Sequence, residues 1–192
     1  MADWQSDANC CGMSVEPIST GMRRIGLISD THGFLDPLVF DYFENCDEIW
    51  HAGDFGTMEV ATQLAEFKPF RGVYGNIDDS AIRDVYPEHE RFECEDLDVW
   101  MTHIGGYPGR YDRRVSRKIK ANPPGLFICG HSHILRAMKD GDMVHLNPGA
   151  AGNHGFHIER TMMRFEVHGA KIRELEVVEL GPRGKKSGKQ KE

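Results

Sequence analysis

Five short apolar runs, bounded by glycine, aspartate and asparagine, constrain the fold more than any other feature of the chain. They cover residues 25–28, 48–50, 70–74, 99–102 and 126–129. Runs of this length between turn-forming residues are typical of buried β-strands. Residues 34–43 and 59–67 have helical apolar spacing and separate the first three runs. The resulting strand-helix-strand-helix-strand order predicts an α/β domain.

Two further patterns extend this outline toward the carboxyl end. Residues 113–121 have the pattern of a basic helix that ends before a pair of prolines. Residues 161–167 and 171–180 have strand-like spacing and meet at a His-Gly-Ala turn. We expect these two segments to form a closing β-hairpin, so that antiparallel strands follow the α/β portion.

The composition supports one folded domain between two ends of different character. Hydrophobic residues make up 40% of the 192-residue chain and charged residues 28%, as in ordinary globular domains. Residues 1–21 show no hydrophobic period, so we expect a disordered extension followed by a domain at 22–180. Residues 181–192 are rich in glycine and lysine, which predicts a solvated, disordered basic tail.

The charge and the compartment signals narrow the class of function. The net charge is −7, but the tail carries +4, which leaves −11 on residues 1–180. An acidic body argues against binding of long nucleic acids and suits a site that collects cations. The sequence contains no apolar run of the roughly 18 residues that a membrane helix needs, and no secretory signal is evident. The five cysteines form no CxxC pair, so we expect reduced thiols in a cytoplasmic protein without a membrane partner.

Every predicted strand is followed by at least one side chain that can bind a metal ion. The runs lead, in order, into Ser-Asp-Thr-His-Gly, His-Ala-Gly-Asp, Gly-Asn-Ile-Asp, Thr-His and Gly-His-Ser-His. The ligand-capable residues in these segments are Asp30, His32, Asp54, Asn76, His103, His131 and His133. Because α/β folds place their ligands at the carboxyl ends of strands, we expect these side chains to converge.

The number and kind of these side chains predict a site for two divalent cations. Residues two apart in an extended chain point to the same side, so the Asp-x-His and His-x-His pairs can each aim two ligands into one space. Two carboxylates, one amide and four imidazoles are too many ligands for one ion but suit two ions that share a carboxylate. Ligation by nitrogen and oxygen without thiolate favours manganese, iron, nickel or zinc.

The ordered motifs SDTHG, HAGD, GNID, TH and GHSH, followed by NPGA, resemble those of the calcineurin-like metallophosphoesterase superfamily. The short length and the NPGA motif are similar to its small YfcE-like phosphodiesterase branch. The resemblance spans residues 25–180. It implies a four-layer αββα sandwich with two mixed β-sheets, a dinuclear metal centre at the strand ends and a small phosphate-ester substrate.

The resemblance also implies a role for each ligand. One ion is assigned to Asp30, His32 and His133, the other to Asn76, His103 and His131, and Asp54 bridges the two. Manganese is our first expectation for both ions, with nickel, iron or zinc as alternatives, and a bridging hydroxide would attack phosphorus in line. The candidate catalytic residues are Asp54, Asn76 and His103, and the Asn76 amide can also donate to a phosphate oxygen.

Two positions depart from the pattern of larger relatives. Ile77 stands where many of them have a histidine that protonates the leaving group. General-acid catalysis is therefore left to Asp78 or a metal-bound water, or the substrates have good leaving groups. A glycine-rich loop with Arg110 replaces a second Gly-His pair after His103. We expect Arg110 to bind a substrate phosphate through its guanidinium, although this arginine-rich segment can also form the wet face of a helix.

The remaining histidines receive less weight. His51 precedes the bridging aspartate by three residues and can lie behind the ligands. His154 and His157 follow the NPGA motif and could line the cleft, but we expect them on surface loops.

Other functions stay open at the level of sequence. A phosphomonoesterase or a nuclease could use the same centre. The superfamily also includes a retromer subunit that acts as a metal-poor interaction scaffold, but the complete ligand set favours catalysis. Similar small relatives often form dimers or tetramers, so a homo-oligomer is open as well.

Overall fold

The computed structural model describes residues 21–184, which form two large β-sheets, a two-stranded ribbon and four helices. The first sheet contains, in spatial order, β12 (Lys171–Pro182), β11 (Glu159–His168), β1 (Met22–Ile28), β2 (Glu48–His51) and β3 (Phe70–Gly72). The second contains β4 (His89–Cys94), β5 (Leu97–Thr102), β8 (Leu126–Ile128), β10 (Met143–Asn147) and β9 (Arg136–Asp140). The ribbon pairs β6 (Gly106–Tyr107) with β7 (Arg110–Tyr111).

The helices are α1 (Leu38–Phe43), α2 (Met58–Phe67), α3 (Ser80–Val85) and α4 (Arg113–Ala121). None of these helices of residues 21–184 has the length and apolar character needed to cross a membrane. The segments 1–21 and 181–192, for which we predicted disorder, fall largely outside the described residues.

Both large sheets are mixed, as predicted. In the first sheet, β1 pairs in parallel with β2 and β2 with β3, whereas β11 and β12 add antiparallel strands at the other side of β1. In the second sheet, β5, β8 and β10 are parallel and the outer strands β4 and β9 are antiparallel. Each sheet therefore has a parallel portion whose strands all end at the same edge.

The main core lies between the two sheets. Alternate residues of β1, Ile25 and Leu27, point inward and pack with Trp50 of β2. The second sheet contributes aliphatic side chains from β5 and β8 to the same cluster. Full burial of a side chain of this size is worth roughly 1.5–3 kcal/mol, so this cluster holds the sheets face to face.

Helices cover the outer face of each sheet. Val39 and Phe43 of α1 pack with side chains of α2 and α3 against the first sheet, where Gly26 makes room for the Phe43 ring. Val115 and Ile119 of α4 pack on the second sheet. The layers are therefore helix, sheet, sheet and helix, which confirms the predicted αββα class.

The structure differs from the predicted element bounds at both ends. Helix α1 begins at Leu38 rather than at 34, because Pro37 stands at its start and the Asp36 carboxylate accepts the Leu38 amide at 3.0 Å. Strand β12 continues to Pro182, because Gly181 pairs with Arg160 of β11 beyond the predicted end of the domain at 180. The elements added to the predicted order are strands β4, β6, β7, β9 and β10 and helix α3.

Candidate metal centre

Parallel strands bring the predicted ligands to one edge of the molecule. Strands β1 and β2 end side by side in the first sheet, as do β5 and β8 in the second. The predicted aspartates and histidines form two groups there, and within each group the ligand atoms all lie within 4.8 Å of one another. The first group is Asp30, His32 and His133, and the second is Asp54, His103 and His131.

Asp30 is at the centre of the first group. Its Oδ1 lies 3.1 Å from His133 Nε2 and 3.9 Å from His32 Nε2. Its Oδ2 accepts hydrogen bonds from the Ser29 hydroxyl at 2.6 Å and the His131 backbone amide at 3.1 Å. Asp30 is fully buried, and among the described residues its Oδ1 has no hydrogen-bond partner. A buried carboxylate oxygen that faces two imidazoles fits a bound cation.

His103 organises the second group. Its Nδ1 lies 2.8 Å from the Ala52 carbonyl oxygen, and because a carbonyl can only accept, Nδ1 carries the proton. The Nε2 lone pair of the neutral ring then lies 3.2 Å from Asp54 Oδ2 and 3.2 Å from Asn76 Oδ1. An imidazole lone pair, a carboxylate oxygen and an amide oxygen repel one another unless a proton or a metal cation stands between them. This donor set fits a divalent ion bound through nitrogen and oxygen.

Asp54 lies within reach of both groups. Its Oδ2 is 3.2 Å from His103 Nε2 in the second group and 3.8 Å from His32 Nε2 in the first. Its Oδ1 accepts the Ile77 amide at 3.1 Å, which fixes the orientation of the carboxylate. Gly75 permits this position because a Cβ there would overlap the Asp54 side chain. Asp54 therefore lies between a histidine of the first group and a histidine of the second.

Five of the ligands have a left-handed backbone. Seven non-glycine residues in the described part of the chain have positive φ, and five of these are predicted ligands: Asp30 (54°), His32 (49°), Asp54 (58°), His131 (65°) and His133 (55°). This conformation costs an L-residue roughly 1–2 kcal/mol. Such strain persists only where surrounding contacts fix the backbone, and it concentrates at functional sites.

The histidines of the two groups differ in how readily they take up a proton. Burial lowers the pKa of His32 and His131 and outweighs the nearby carboxylates, so both rings stay neutral. Burial also lowers the pKa of His103, but the hydrogen bond to Asp54 and the charges of Asp30 and Asp54 outweigh it, and the pKa rises overall. For Asp54, burial raises the pKa, yet the contacts with His103 outweigh it and lower the pKa. The pair of Asp54 and His103 therefore favours a positive charge between its atoms.

Comparison with known proteins identifies the family. Residues 22–170 match the sequence profile of the calcineurin-like phosphoesterase superfamily domain. The chain belongs to this superfamily. A probable metallophosphoesterase of Methanothermobacter thermautotrophicus is 34% identical over 134 residues, which cover 66% of this chain and 76% of the relative. Membership confirms the predicted family, whose enzymes hydrolyse phosphate esters with divalent metals.

Solved structures of other proteins share the fold. An archaeal phosphodiesterase superposes with a TM-score of 0.63 at 23% identity, over 81% of this chain and 99% of that chain. Vps29 of Entamoeba histolytica in complex with Zn²⁺ superposes with a TM-score of 0.64 at 17% identity, over 81% of this chain and 98% of that chain. Identities this low show the fold alone.

Buried polar side chains hold the ligand loops of this superfamily member from behind. His51 Nδ1 accepts the Gly53 amide at 3.1 Å, and its Nε2 lies 3.0 Å from the Thr31 hydroxyl. Burial lowers the pKa of His51 to about 3, so the ring remains neutral. Asn147 of the NPGA motif donates to the Gly130 carbonyl at 2.8 Å, beside the His-x-His pair. His51 thus lies behind the ligands, where the sequence allowed it.

Asp78 joins two loops of the candidate site through hydrogen bonds from their backbone amides. It is buried, its Oδ1 accepts the Gly56 amide at 2.9 Å, and its Oδ2 accepts the Gly75 amide at 2.7 Å. Both oxygens of Asp78 therefore accept backbone amides, one from the loop after β2 and one from the loop after β3.

Two histidines expected on surface loops lie against the ligands. His157 Nδ1 is 3.2 Å from His133 Nδ1, and its Nε2 is 3.0 Å from the Gly152 carbonyl oxygen. His154 is exposed, yet the centroid of its ring lies 5.2 Å from that of His32. His154 lies on an exposed loop, as expected, whereas His157 is half-buried, because a backbone bond at Gly152 ties this part of the loop to the end of β1. That contact joins distant parts of the chain and leaves no local signal.

The structure brings Arg83 and Arg114, rather than Arg110, to the second ligand group. These two arginines line a cavity of about 200 Å³ whose wall includes Asn76 and His103. Arg110 is exposed on β7 and lines a separate cavity whose described residues include no predicted metal ligand. Arg114 lies in the first turn of α4, the helix whose polar face we considered as the alternative to a phosphate contact.

Proposed function

We propose that the protein is a dinuclear metal-dependent phosphodiesterase. The observation that carries the proposal is the position of Asp54, whose Oδ2 lies 3.2 Å from a histidine of one ligand group and 3.8 Å from a histidine of the other. A carboxylate shared in this way offsets the repulsion between two neighbouring divalent cations. Membership of the superfamily supports hydrolysis of phosphate esters.

The chain offers a complete set of ligands for two ions. One ion would be held by Asp30, His32 and His133, the other by Asn76, His103 and His131, and both by Asp54. When bound, such ions polarise the phosphate ester and lower the pKa of water. Cys129, the cysteine beside the His-x-His motif, is buried, burial raises the pKa of its thiol to about 12, and its Sγ donates to the Gly106 carbonyl at 3.4 Å. Ligation by nitrogen and oxygen suits manganese first, with nickel, iron and zinc as alternatives.

Substrate binding would use the side of the site that faces solvent. Asn76 is exposed and turns its Oδ1 toward His103, so its NH₂ group can donate to a phosphate oxygen. Arg83 donates through Nε to the Asp78 carbonyl at 2.7 Å, so its charge is not neutralised by that contact. Within residues 21–184, the ion-pair partner of the Arg114 guanidinium is Asp112, at 4.0 Å. Both arginines can therefore offset negative charge on a substrate.

The residues next to Asn76 offer no evident general acid to protonate a leaving group. Ile77 is 47% exposed beside Asn76 and cannot donate a proton. Asp78 is occupied by two backbone amides. Substrates with good leaving groups are therefore preferred. The archaeal phosphodiesterase with the same fold supports a diester, and the acidic body of the chain argues for a small substrate over a long nucleic acid.

The test is hydrolysis of bis(4-nitrophenyl) phosphate by chelator-stripped protein, with and without added Mn²⁺. The same assay with 4-nitrophenyl phosphate and with a short oligonucleotide distinguishes the phosphomonoesterase and nuclease alternatives. The His131→Ala variant removes a ligand of the second group, whereas His168→Ala changes a histidine that pairs with Glu166 at 2.7 Å on β11. Metal content is measured in parallel for each protein.

The proposal predicts two bound ions and Mn²⁺-dependent diester hydrolysis that collapses in His131→Ala and persists in His168→Ala. Faster turnover of the monoester or the oligonucleotide would replace the phosphodiesterase by the corresponding alternative. Metal binding alone does not distinguish an enzyme from an interaction scaffold, because a bound ion does not by itself show turnover. The assay is repeated with Ni²⁺, Fe²⁺ and Zn²⁺, and folded protein that binds metal but hydrolyses none of the three substrates with any of the four metals would favour the interaction scaffold.

A further inference from the structure

We infer that His157 is a positioning residue that holds the His133 ring in one tautomer, with its lone pair directed at the first metal site. The inference depends on the proposed function in one respect, namely that His133 binds a metal ion. Its own basis is a chain of hydrogen bonds that runs from a backbone carbonyl through two imidazoles to the ligand atom.

The direction of the chain follows from its first member. The Gly152 carbonyl can only accept, so His157 Nε2, 3.0 Å away, carries the proton. The neutral His157 ring then presents Nδ1 as an acceptor, and His133 Nδ1, 3.2 Å away, must donate to it. The lone pair of His133 is left on Nε2, which lies 3.1 Å from Asp30 Oδ1 and 3.2 Å from His32 Nε2. One carbonyl therefore determines the tautomers of both rings.

The backbone that carries His157 is packed tightly against its neighbours. Gly152 is buried, its amide donates to the Asp30 carbonyl at 3.0 Å, and a Cβ there would overlap the backbone of Thr31. Gly155 has φ of 128°, and a Cβ at this position would overlap the His133 ring. Close approach at both glycines keeps the loop against the ligand, where the two rings meet at 66° with centroids 5.2 Å apart.

An imidazole suits this position for an electrostatic reason. A hydrogen bond to the distal nitrogen of a ligating histidine fixes the ring and raises its basicity, and loss of such a partner typically lowers metal affinity by about 10–100-fold. Carboxylates are common partners of this kind. The site already contains Asp30 and Asp54, so a neutral acceptor orients His133 without adding a third negative charge.

Two amide substitutions separate the acceptor role from the anchoring of the loop. In His157→Asn, Oδ1 takes the place of Nδ1 and can accept from His133, while the bond to the Gly152 carbonyl is lost. In His157→Gln, the amide nitrogen can reach the place of Nε2 and keep that bond, but no acceptor remains at the Nδ1 position. His157→Ala removes both. If His157 only anchors the loop, His157→Gln should change the His133 tautomer and the Mn²⁺ affinity less than His157→Asn does. If His157 positions His133, His157→Asn should have the smaller effect.

The first measurement is the tautomer of His133 in metal-free protein, from the ¹⁵N chemical shifts of the ring. We expect a proton on Nδ1 in the wild type and in His157→Asn, and a mixture or the Nε2-protonated form in His157→Gln and His157→Ala. The second measurement is the affinity of the first site for Mn²⁺ in a His131→Ala background, which lacks a ligand of the second group. We expect a loss of about 10–100-fold in the Gln and Ala variants and near-normal affinity in Asn.

Two results would overturn the inference. One is a wild-type His133 that carries its proton on Nε2. The other is a set of folded variants in which the tautomer and the Mn²⁺ affinity do not depend on the residue at 157. Failure of the proposed catalytic function would look different, because the tautomer is measured without metal and without substrate.

Discussion

At the scale of single residues, the positions of two arginines near the second ligand group allow a test of substrate contact. Arg110 and Arg114 are both exposed and lie four positions apart, yet only Arg114 lines the cavity with Asn76 and His103. Their chemistry is identical, so any functional difference between them must come from placement. This pair therefore offers a matched test of substrate contact.

We predict that Arg114→Ala lowers kcat/KM for a phosphodiester by about tenfold, mainly through KM. A hydrogen bond to a charged group is worth about 1.5–3 kcal/mol, and the exposure of Arg114 places it at the low end. Arg110→Ala should leave both constants near their wild-type values. Steady-state kinetics with bis(4-nitrophenyl) phosphate measure the difference. A larger effect from Arg110 would restore the phosphate contact that the sequence predicted.

At the scale of elements, the ligand loops are extensions of the parallel strands. Beyond β1 and β2 the backbone pairing continues, with the Asp30 amide donating to the Gly53 carbonyl at 3.0 Å and the His32 amide to the Asp54 carbonyl at 3.1 Å. In the second sheet, the Gly130 amide donates to the His103 carbonyl at 3.0 Å. These bonds hold the left-handed residues in place and explain how the fold tolerates strain at its ligands.

The loop after β3 completes this arrangement through a close approach, which Gly75→Ala tests. An added Cβ would overlap the Asp54 carboxylate and the backbone amide of the same residue. We therefore expect Asp54 to shift, and the affinity for both metal ions to fall. Gly141→Ala is the matched control, because its φ of 62° strains an alanine but the space around it is open.

The control should lose roughly 1–2 kcal/mol of unfolding free energy and keep its metal affinity. Urea unfolding and Mn²⁺ titration of both variants measure the two effects separately. If Gly75→Ala bound two Mn²⁺ ions with wild-type affinity, the position of the Asp54 carboxylate would not depend on this glycine.

At the scale of the whole molecule, the four-layer packing buries ionisable groups that the site does not use. His145 of β10 is fully buried, with its ring 5.8 Å from that of Phe127, and neither ring nitrogen has a partner among the described residues. Burial lowers its pKa from 6.5 to about 4. The folded protein therefore holds this ring neutral at a pH where the unfolded chain would protonate it.

Global stability should consequently fall as the pH drops from 6.5 toward 4, because only the unfolded state gains the proton of His145 in that window. A shift of one pKa unit corresponds to about 1.4 kcal/mol, so the full effect is on the order of 3 kcal/mol. We predict that His145→Leu flattens this part of the curve. Urea unfolding of metal-free protein between pH 7.5 and 4.5 measures it, and parallel curves for variant and wild type would contradict the prediction.

The sequence by itself determined the order of the central strands and the identity of the metal-ligand candidates. Apolar runs, turn residues and the chemistry of side chains at strand ends are local properties. The parallel direction of the strands then carries all these ends to one edge. For this reason the sequence could name all six members of the two candidate groups before their geometry was known: Asp30, His32, Asp54, His103, His131 and His133.

Tertiary structure decided the features that depend on contacts between distant segments. Strand β9 is largely exposed and has no apolar period, so it is visible only through its pairing with β10. The path of the loop into α4 determines that Arg114 lies beside the predicted ligands. The hydrogen bond between Gly152 and the end of β1 determines that His157 contacts His133. The free energy of such contacts lies in pairings and close approaches across the fold, which no local pattern of residues records.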